Sequence, residues 1–174
     1  MRGRESTFRI LSRLLHYPDP DLVGALGTLR EISGALEEGI STACLQFLDY
    51  LGGGPMLSLQ ESYTRTFDFC PDTSLNLTHH LFGDDKGRGG ALAALSRIYR
   101  DAGYEVACGE LPDYLPMILE FLSLEPGKAA MAEVADSCGG ALGVLASRLR
   151  EARNPYAGLV SAACDLLHPM GRPS

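Results

Sequence analysis

Residues 110–126 read ELPDYLPMILEFLSLEP, an acidic and proline-containing start followed by large apolar side chains. Four apolar positions follow the i, i+3, i+4, i+7 spacing of one helical face, namely Leu115, Ile118, Leu119 and Leu122. Pro112 would precede the helix, and Pro116 would fall in its first turn, where a missing N–H costs little. The stretch therefore predicts a helix that starts near Asp113 and packs one face into a core.

The same periodicity extends over nearly the whole chain, and the alternation typical of strands is almost absent. We therefore predict an all-α fold, a compact single-domain bundle of eight or nine helices. One domain is expected to cover residues 1–174, with a disordered tail at 170–174. The predicted helices span about residues 6–15, 19–39, 41–51, 58–66, 73–82, 91–102, 113–124, 128–153 and 154–168.

Two helix starts carry specific signals. Asp19 followed by Pro20 supplies the residues preferred at the N-cap and at the first helical position. Ser58 and Glu61 have the spacing of a capping box, in which each side chain accepts a hydrogen bond from a backbone N–H group at the helix start. These signals predict helix starts at positions 19 and 58.

Composition argues against several function classes. The chain has 22 acidic and 15 basic residues and a formal net charge of −7, which disfavours nucleic-acid binding and favours a positively charged partner. The sequence start lacks an apolar signal segment and about 18 apolar residues never run together, so we expect a cytoplasmic protein without membrane insertion. The five cysteines form no CxxC pair, which predicts reduced thiols and no metal site.

The 110–126 helix has a second apolar face. Tyr114, Met117, Phe121 and Leu124 occupy it, and Asp113 and Glu120 line up along its seam, with Glu110 just before the helix. Neighbouring helices could bury both faces and leave the acids solvated. Alternatively, the second face could form a groove for a basic amphipathic peptide, with apolar anchors on Met117 and Phe121 and cations against the acids.

Two further segments have open interpretations. Tyr63, Phe67, Asp68 and Phe69 are either core residues around a helix end or part of the wall of the same groove. The turn GDDKGRGG at 83–90 either joins two helices or acts as a hinge or anion site. It matches neither nucleotide-binding glycine motif. The candidate anion or hinge residues are Gly83, Asp84, Lys86, Arg88 and Gly89.

Three ordered motifs resemble one protein family. They are FDFCPDTSLNLTHHLFGDDKGRGGAL at 67–92, YRDAGYE at 99–105 and ELPDYLPMILEFL at 110–122. Together they resemble the delta-subunit family of respiratory nitrate reductase, the NarJ branch of the TorD-like redox-enzyme maturation chaperones. The resemblance covers about residues 60–125.

The resemblance implies a cytoplasmic, non-catalytic, all-helical chaperone for a nitrate-reductase-type molybdoenzyme. It would bind the basic, twin-arginine-like N-terminal peptide of the catalytic subunit and assist molybdenum cofactor insertion before membrane docking. It would hold no cofactor stably, and any contact with bis(molybdopterin guanine dinucleotide) or GTP would be transient. The alternative is a helical protein that binds guanine nucleotide or the molybdopterin cofactor through the 83–90 turn.

The implied peptide is the basic partner that the acidic helix predicts. The predicted peptide site comprises Glu110, Asp113, Tyr114, Met117, Glu120, Phe121, Tyr63, Phe67 and Asp68. Two positions depart from the family pattern. Tyr114 stands where family members commonly have His, so imidazole-based pH sensitivity of peptide release is in doubt, and Lys86 replaces a more usual Arg.

Overall fold

The computed structural model describes residues 2–83, 85–106 and 109–168. These residues form ten α-helices, one 3₁₀ turn and no β-strand, which confirms the all-α prediction. The expectations for Asp84, Cys108 and the 170–174 tail lie outside the described residues. The helices are α1 Arg2–Leu15, α2 Pro20–Gly24, α3 Leu26–Gly34, α4 Glu38–Gly52, α5 Met56–Phe67, α6 His79–Phe82, α7 Gly87–Asp101, α8 Leu115–Ser123, α9 Lys128–Glu151 and α10 Ala157–Leu167, with the 3₁₀ turn at Pro71–Thr73.

The segment predicted as one helix from 19 to 39 is two helices. Asp19 caps α2 as predicted, because its carboxylate accepts a hydrogen bond from the Leu22 N–H at 2.7 Å and Pro20 occupies the first helical position. The backbone leaves helical geometry at Ala25, with φ −91° and ψ 3°, and α3 begins at the next residue. This break adds a helix to the predicted number.

Several other helix starts differ from the predictions. The helix predicted over 73–82 is reduced to α6, which begins at His79, and residues 74–78 before it are not helical. α1 begins at Arg2, ahead of the predicted start near residue 6. Ser58 lies in the first turn of α5, whose N-cap is the extended residue Pro55, so the capping-box prediction is wrong. α7 begins at Gly87 rather than Ala91, because the glycine-rich turn already has helical geometry there.

α8 packs its predicted core face mainly against α1. The exposed fractions are 0% for Leu115, Ile118 and Leu119 and 1% for Leu122. The Ser12 hydroxyl of α1 donates a hydrogen bond to the Pro116 carbonyl at 2.7 Å, which ties the two helices together at the start of α8. Burial of an aliphatic side chain contributes about 1.5–3 kcal/mol, so this face holds α8 firmly in place.

Aromatic rings fill the core beneath α5. Tyr156 is fully buried and its ring lies 4.6 Å from Phe47, 5.8 Å from Tyr63 and 4.9 Å from Phe67, measured between ring centroids. These tilted and edge-on arrangements are the favoured ones for buried aromatic pairs. Tyr63 and Phe67 are therefore core residues.

α9 is long and apolar enough, at 24 residues, to cross a membrane by length and composition alone. Its inward-facing residues Val134, Cys138, Leu142 and Leu145 are fully buried, and the helix packs against α10 and α7. α9 therefore packs one face into the core, and its other residues are half-buried or exposed.

Candidate functional site

The start of α8 is held by a buried carboxylate. Asp113 is 0% exposed, and its Oδ2 accepts hydrogen bonds from the Thr78 N–H at 3.0 Å and the Thr78 hydroxyl at 2.6 Å. Its Oδ1 accepts a third from the Asn76 side-chain amide at 3.1 Å. The prediction that Asp113 lines an exposed acidic seam is wrong, because residues 75–78 cover that part of the helix start. Tyr114, not Asp113, is the N-cap residue.

Arg88 completes this arrangement from the glycine-rich turn. Its Nε–H donates to the Thr78 hydroxyl oxygen at 3.2 Å, and its Nη2 lies 3.9 Å from Asp113 Oδ2. The Thr78 hydroxyl thus accepts from the arginine while it donates to the carboxylate. A buried carboxylate requires such compensation, since an unpaired charge away from water is costly. The structure therefore joins two sequence motifs, at positions 88 and 113, into one network.

The remaining residues of the 83–90 turn have the properties of a structural connection. Gly83 has φ 55°, a conformation that side chains rarely adopt, and a Cβ at Gly87 would lie 3.0 Å from the Phe82 ring. Lys86 and Gly89 are exposed. A role of this turn in anion binding or as a hinge stays a prediction, while the Arg88 contacts are those of a turn that fixes α7 against α8.

The outer face of α8 is partly covered and partly open. Phe121 is 5% exposed, and its ring packs 4.6 Å from Tyr99 and 5.5 Å from Tyr104 between centroids. Met117 is half-buried, Glu120 is exposed, and Leu124 is 43% exposed. A groove of about 250 Å³ remains, which we name the α8 groove; it is lined by Tyr99, Tyr104, Glu105, Val106, Met117, Glu120, Phe121 and Leu124.

The α8 groove has an apolar floor and two acids among its lining residues. Phe121 and Tyr99 are buried at its base, and Val106 and Leu124 are its exposed apolar side chains. Glu105 and Glu120 are exposed carboxylates. Such a surface suits a ligand that combines an apolar side chain with a positive charge. Of the predicted peptide-site residues, the structure brings three together here, namely Met117, Glu120 and Phe121.

Tyr114 does not line the α8 groove, and its ring lies towards α5 and the end of α1. Its hydroxyl lies 3.0 Å from the Tyr63 hydroxyl, which in turn is 3.0 Å from the Leu15 carbonyl oxygen. Burial raises the pKa of Tyr63, so this phenol stays protonated and can donate to that carbonyl. The His16 ring contacts Tyr114 edge-on at 5.9 Å.

Four other predicted site residues lie elsewhere. Tyr63 and Phe67 are 3% and 4% exposed in the aromatic core, so the idea that they wall the peptide groove is wrong. Asp68 is exposed at the C-cap of α5, and Glu110 is exposed in the segment before α8. Neither Asp68 nor Glu110 lines the α8 groove.

A second set of contacts holds the segment that covers Asp113. The His80 Nε2 lies 2.7 Å from the Ser74 carbonyl oxygen, and its Nδ1 lies 3.2 Å from Arg148 Nη1. A carbonyl only accepts and a guanidinium only donates, so His80 is neutral with its proton on Nε2. Burial, and then the charge of Arg148, lower the pKa of His80. Arg148 also donates to the Asp72 carbonyl at 2.9 Å, which fastens the segment to α9.

Comparison with known proteins places the chain in a family. Residues 33–162, most of the chain, match the family model described as nitrate reductase delta subunit. The chain belongs to the nitrate reductase delta subunit family. This confirms the resemblance drawn from the three motifs.

Relatives in this family bear names that state an assembly role. Probable nitrate reductase molybdenum cofactor assembly chaperone NarJ of Bacillus subtilis is 31% identical over 97% of this chain and 91% of its own length. NarW of Escherichia coli, with the same description, is 31% identical over 91% of this chain and 66% of its own length. NarJ of Escherichia coli is 34% identical over 85% of this chain and 64% of its own length. The chain thus spans about two thirds of the Escherichia coli relatives.

The delta-subunit relatives are cofactor assembly chaperones, not catalysts, which confirms the non-enzymatic prediction. Within the described residues, no group of three or more His, Cys, Asp and Glu side chains could hold a metal ion. Burial raises the pKa of Cys44 to about 11 and that of Cys138 to about 12, so both thiols stay protonated. These two cysteines fill the core, whereas Cys70 and Cys164 are half-buried.

Sequence reasoning missed half of the α8 groove. Tyr99, Tyr104, Glu105 and Val106 line it, although only the α8 side was predicted. The signal was present in the YRDAGYE motif of the delta-subunit resemblance, which places two aromatic residues and an acid around the end of α7. Gly103, with φ 85°, turns the chain there so that Tyr104 reaches Phe121.

Proposed function

We propose that this chain is a chaperone for molybdenum cofactor assembly in a nitrate-reductase-type enzyme. Its client is the catalytic subunit, and it captures the basic N-terminal, twin-arginine-like peptide of that subunit before membrane docking. Capture takes place in the cytoplasm and through a single helical domain. The molybdenum cofactor is cargo of the client in this proposal and is not held stably by the chaperone.

The observation that carries the proposal is that exposed apolar side chains and two exposed carboxylates line the same groove, the α8 groove. Val106 and Leu124 are 38% and 43% exposed, so they give an apolar ligand side chain a surface to bury, and Glu105 and Glu120 are exposed beside them. Exposed ion pairs contribute only about 0.2–1 kcal/mol each. Affinity therefore comes mainly from the apolar contact, and the two carboxylates favour a cationic peptide and speed its association.

The names of the relatives support the client class. NarJ and NarW are described by their action on nitrate reductase and its molybdenum cofactor, and the delta-subunit family model spans most of this chain. The chain carries seven more acidic than basic residues. This charge favours a basic segment of the client over an acidic one.

Calorimetric titration of the full chain with a peptide from the N-terminus of the candidate catalytic subunit tests the proposal. We expect saturable binding that Leu124→Ser weakens, because Leu124 is 43% exposed at the α8 groove and its replacement removes apolar contact without opening the core. Val144→Ser is the matched control, since Val144 is 37% exposed on α9 away from the groove. Equal affinity of both variants and the original chain would move the peptide site off this groove.

A further inference from the structure

The outer face of α5 carries apolar surface that the α8 groove does not include. Leu57 is 67% exposed and Phe69 80%, and Tyr17 beside them is 45% exposed. With Gln60, Glu61, Thr64 and Arg65 they line a second groove, of about 270 Å³. Single exposed apolar residues are ordinary, but three large ones around one groove indicate a binding surface. We name it the α5 face.

Two opposite charges lie between the apolar ends of the α5 face. Glu61 and Arg65 are one helical turn apart and both are exposed. Neither takes part in any of the ion pairs within the described part of the chain. A purely basic partner would pair with Glu61 but be repelled by Arg65, and an acidic one would meet the reverse. The face therefore suits a partner with one acid and one base.

The order of residues along the α5 face is complementary to itself. Leu57 and Phe69 are each six positions from residue 63, and Glu61 and Arg65 are each two positions from it. The chain stays against the helix end as far as Phe69, whose N–H donates to the Thr64 carbonyl at 3.0 Å. Suppose that two such helices, one from each copy, pack antiparallel about a two-fold axis level with residue 63. Leu57 of one copy then faces Phe69 of the other, and Glu61 of one copy faces Arg65 of the other. The symmetry makes each of these contacts occur twice.

We propose that the α5 face is a two-fold interface with a second copy of this chain. The apolar ends supply the area removed from water, and the two reciprocal ion pairs fix the antiparallel register. The inference is independent of peptide capture at the α8 groove, because the two surfaces share no lining residue. A stable contact of this kind buries at least about 1,000 Å² in total, so Tyr17 and the neighbouring polar residues are included in it.

Sedimentation velocity of the full chain between about 1 and 200 μM tests the interface. We expect a concentration-dependent dimer. Glu61→Arg and Arg65→Glu should each weaken it at least about tenfold, because each variant turns two attractive pairs into two repulsive ones. An equimolar mixture of the two variants should dimerise again. In the mixed dimer, a face with two bases meets a face with two acids.

Matched controls separate the pairing from a general charge effect. Glu31→Arg and Arg97→Glu change exposed charges on α3 and α7 and should leave the dimer unchanged. Circular dichroism of each variant checks that the helices are intact. A monomer at every concentration would overturn the proposal. So would a dimer that the α5 variants leave unchanged, or a mixture of the two variants that stays monomeric.

Discussion

Two acids of the same motif, Asp113 and Glu120, have opposite surroundings. They are seven positions apart, so two turns of a continuous helix would align them on one face. Asp113 is 0% exposed and accepts three hydrogen bonds from residues 76–78, whereas Glu120 is exposed at the α8 groove. One acid is part of the fold, and the other is available to a ligand.

The difference shows what helical spacing can and cannot settle. Spacing determines which residues share a face, but burial depends on which other segment of the chain reaches that face. Here the segment at 75–78 was predicted as part of a helix over 73–82 but is not helical. It bonds to the start of α8 through the Leu115 N–H and the Leu75 carbonyl at 2.9 Å. A segment whose conformation the spacing did not predict therefore buries Asp113.

Asp113→Ala should have the largest effect. The substitution leaves the Thr78 N–H, the Thr78 hydroxyl and the Asn76 amide without their acceptor, and it leaves Arg88 without its counter-charge. We expect a loss of about 3–5 kcal/mol in the free energy of unfolding, as for other broken buried charge networks. Urea denaturation of the full chain measures it.

The same change at the other acid is the control. Glu120→Ala should alter the free energy of unfolding by no more than about 0.5 kcal/mol, because the carboxylate is in water. If both variants lost similar stability, the contrast between the two acids would be false. Arg88→Gln should fall between them, since Arg88 is partly exposed and its guanidinium is 3.9 Å from the carboxylate.

The second prediction concerns the segment that covers Asp113. Burial and Arg148 lower the pKa of His80 below its usual 6.5, so the unfolded chain binds more protons between the folded-state pKa and 6.5. Stability should therefore be complete above about pH 6.5 and decrease as the pH falls through that window. Urea denaturation at a series of pH values from 7.5 downwards measures the decrease.

His80→Gln identifies the group responsible. In this variant the free energy of unfolding should depend less on pH. His79→Gln should retain the full pH dependence, because the contacts with Ser74 and Arg148 are made by His80 and not by His79. Burial also lowers the pKa of His16, so some pH dependence should persist in both variants. An unchanged pH profile in His80→Gln would exclude this histidine.

The smallest expected effect is on peptide affinity. Glu120→Gln keeps the size of the side chain and removes its charge, so it should weaken binding of a basic peptide by about 0.2–1 kcal/mol, a change of no more than about fivefold. The difference should shrink as salt is added, since exposed pairs are screened. Glu110→Gln is the control, because Glu110 is exposed but does not line the α8 groove.

Much of the fold could be predicted from residue pattern alone. The core face of α8 and the Asp19 cap were predictable because they depend on neighbours within a few positions of the chain. The burial of Asp113 and the position of Tyr104 against Phe121 were not. The first depends on contacts 35 and 37 positions away, and the second on a turn at Gly103. Local spacing carries no information on which distant segments meet.

The buried Asp113 network also has a consequence for the order in which the molecule is made. The side chains that contact its carboxylate come from positions 76, 78 and 88, and the α8 groove is lined by residues 99 to 124. Synthesis proceeds from the N-terminus, so all of these residues leave the ribosome before α9 and α10 do. The proposed receiving surface is therefore among the parts of the chain translated before its last two helices.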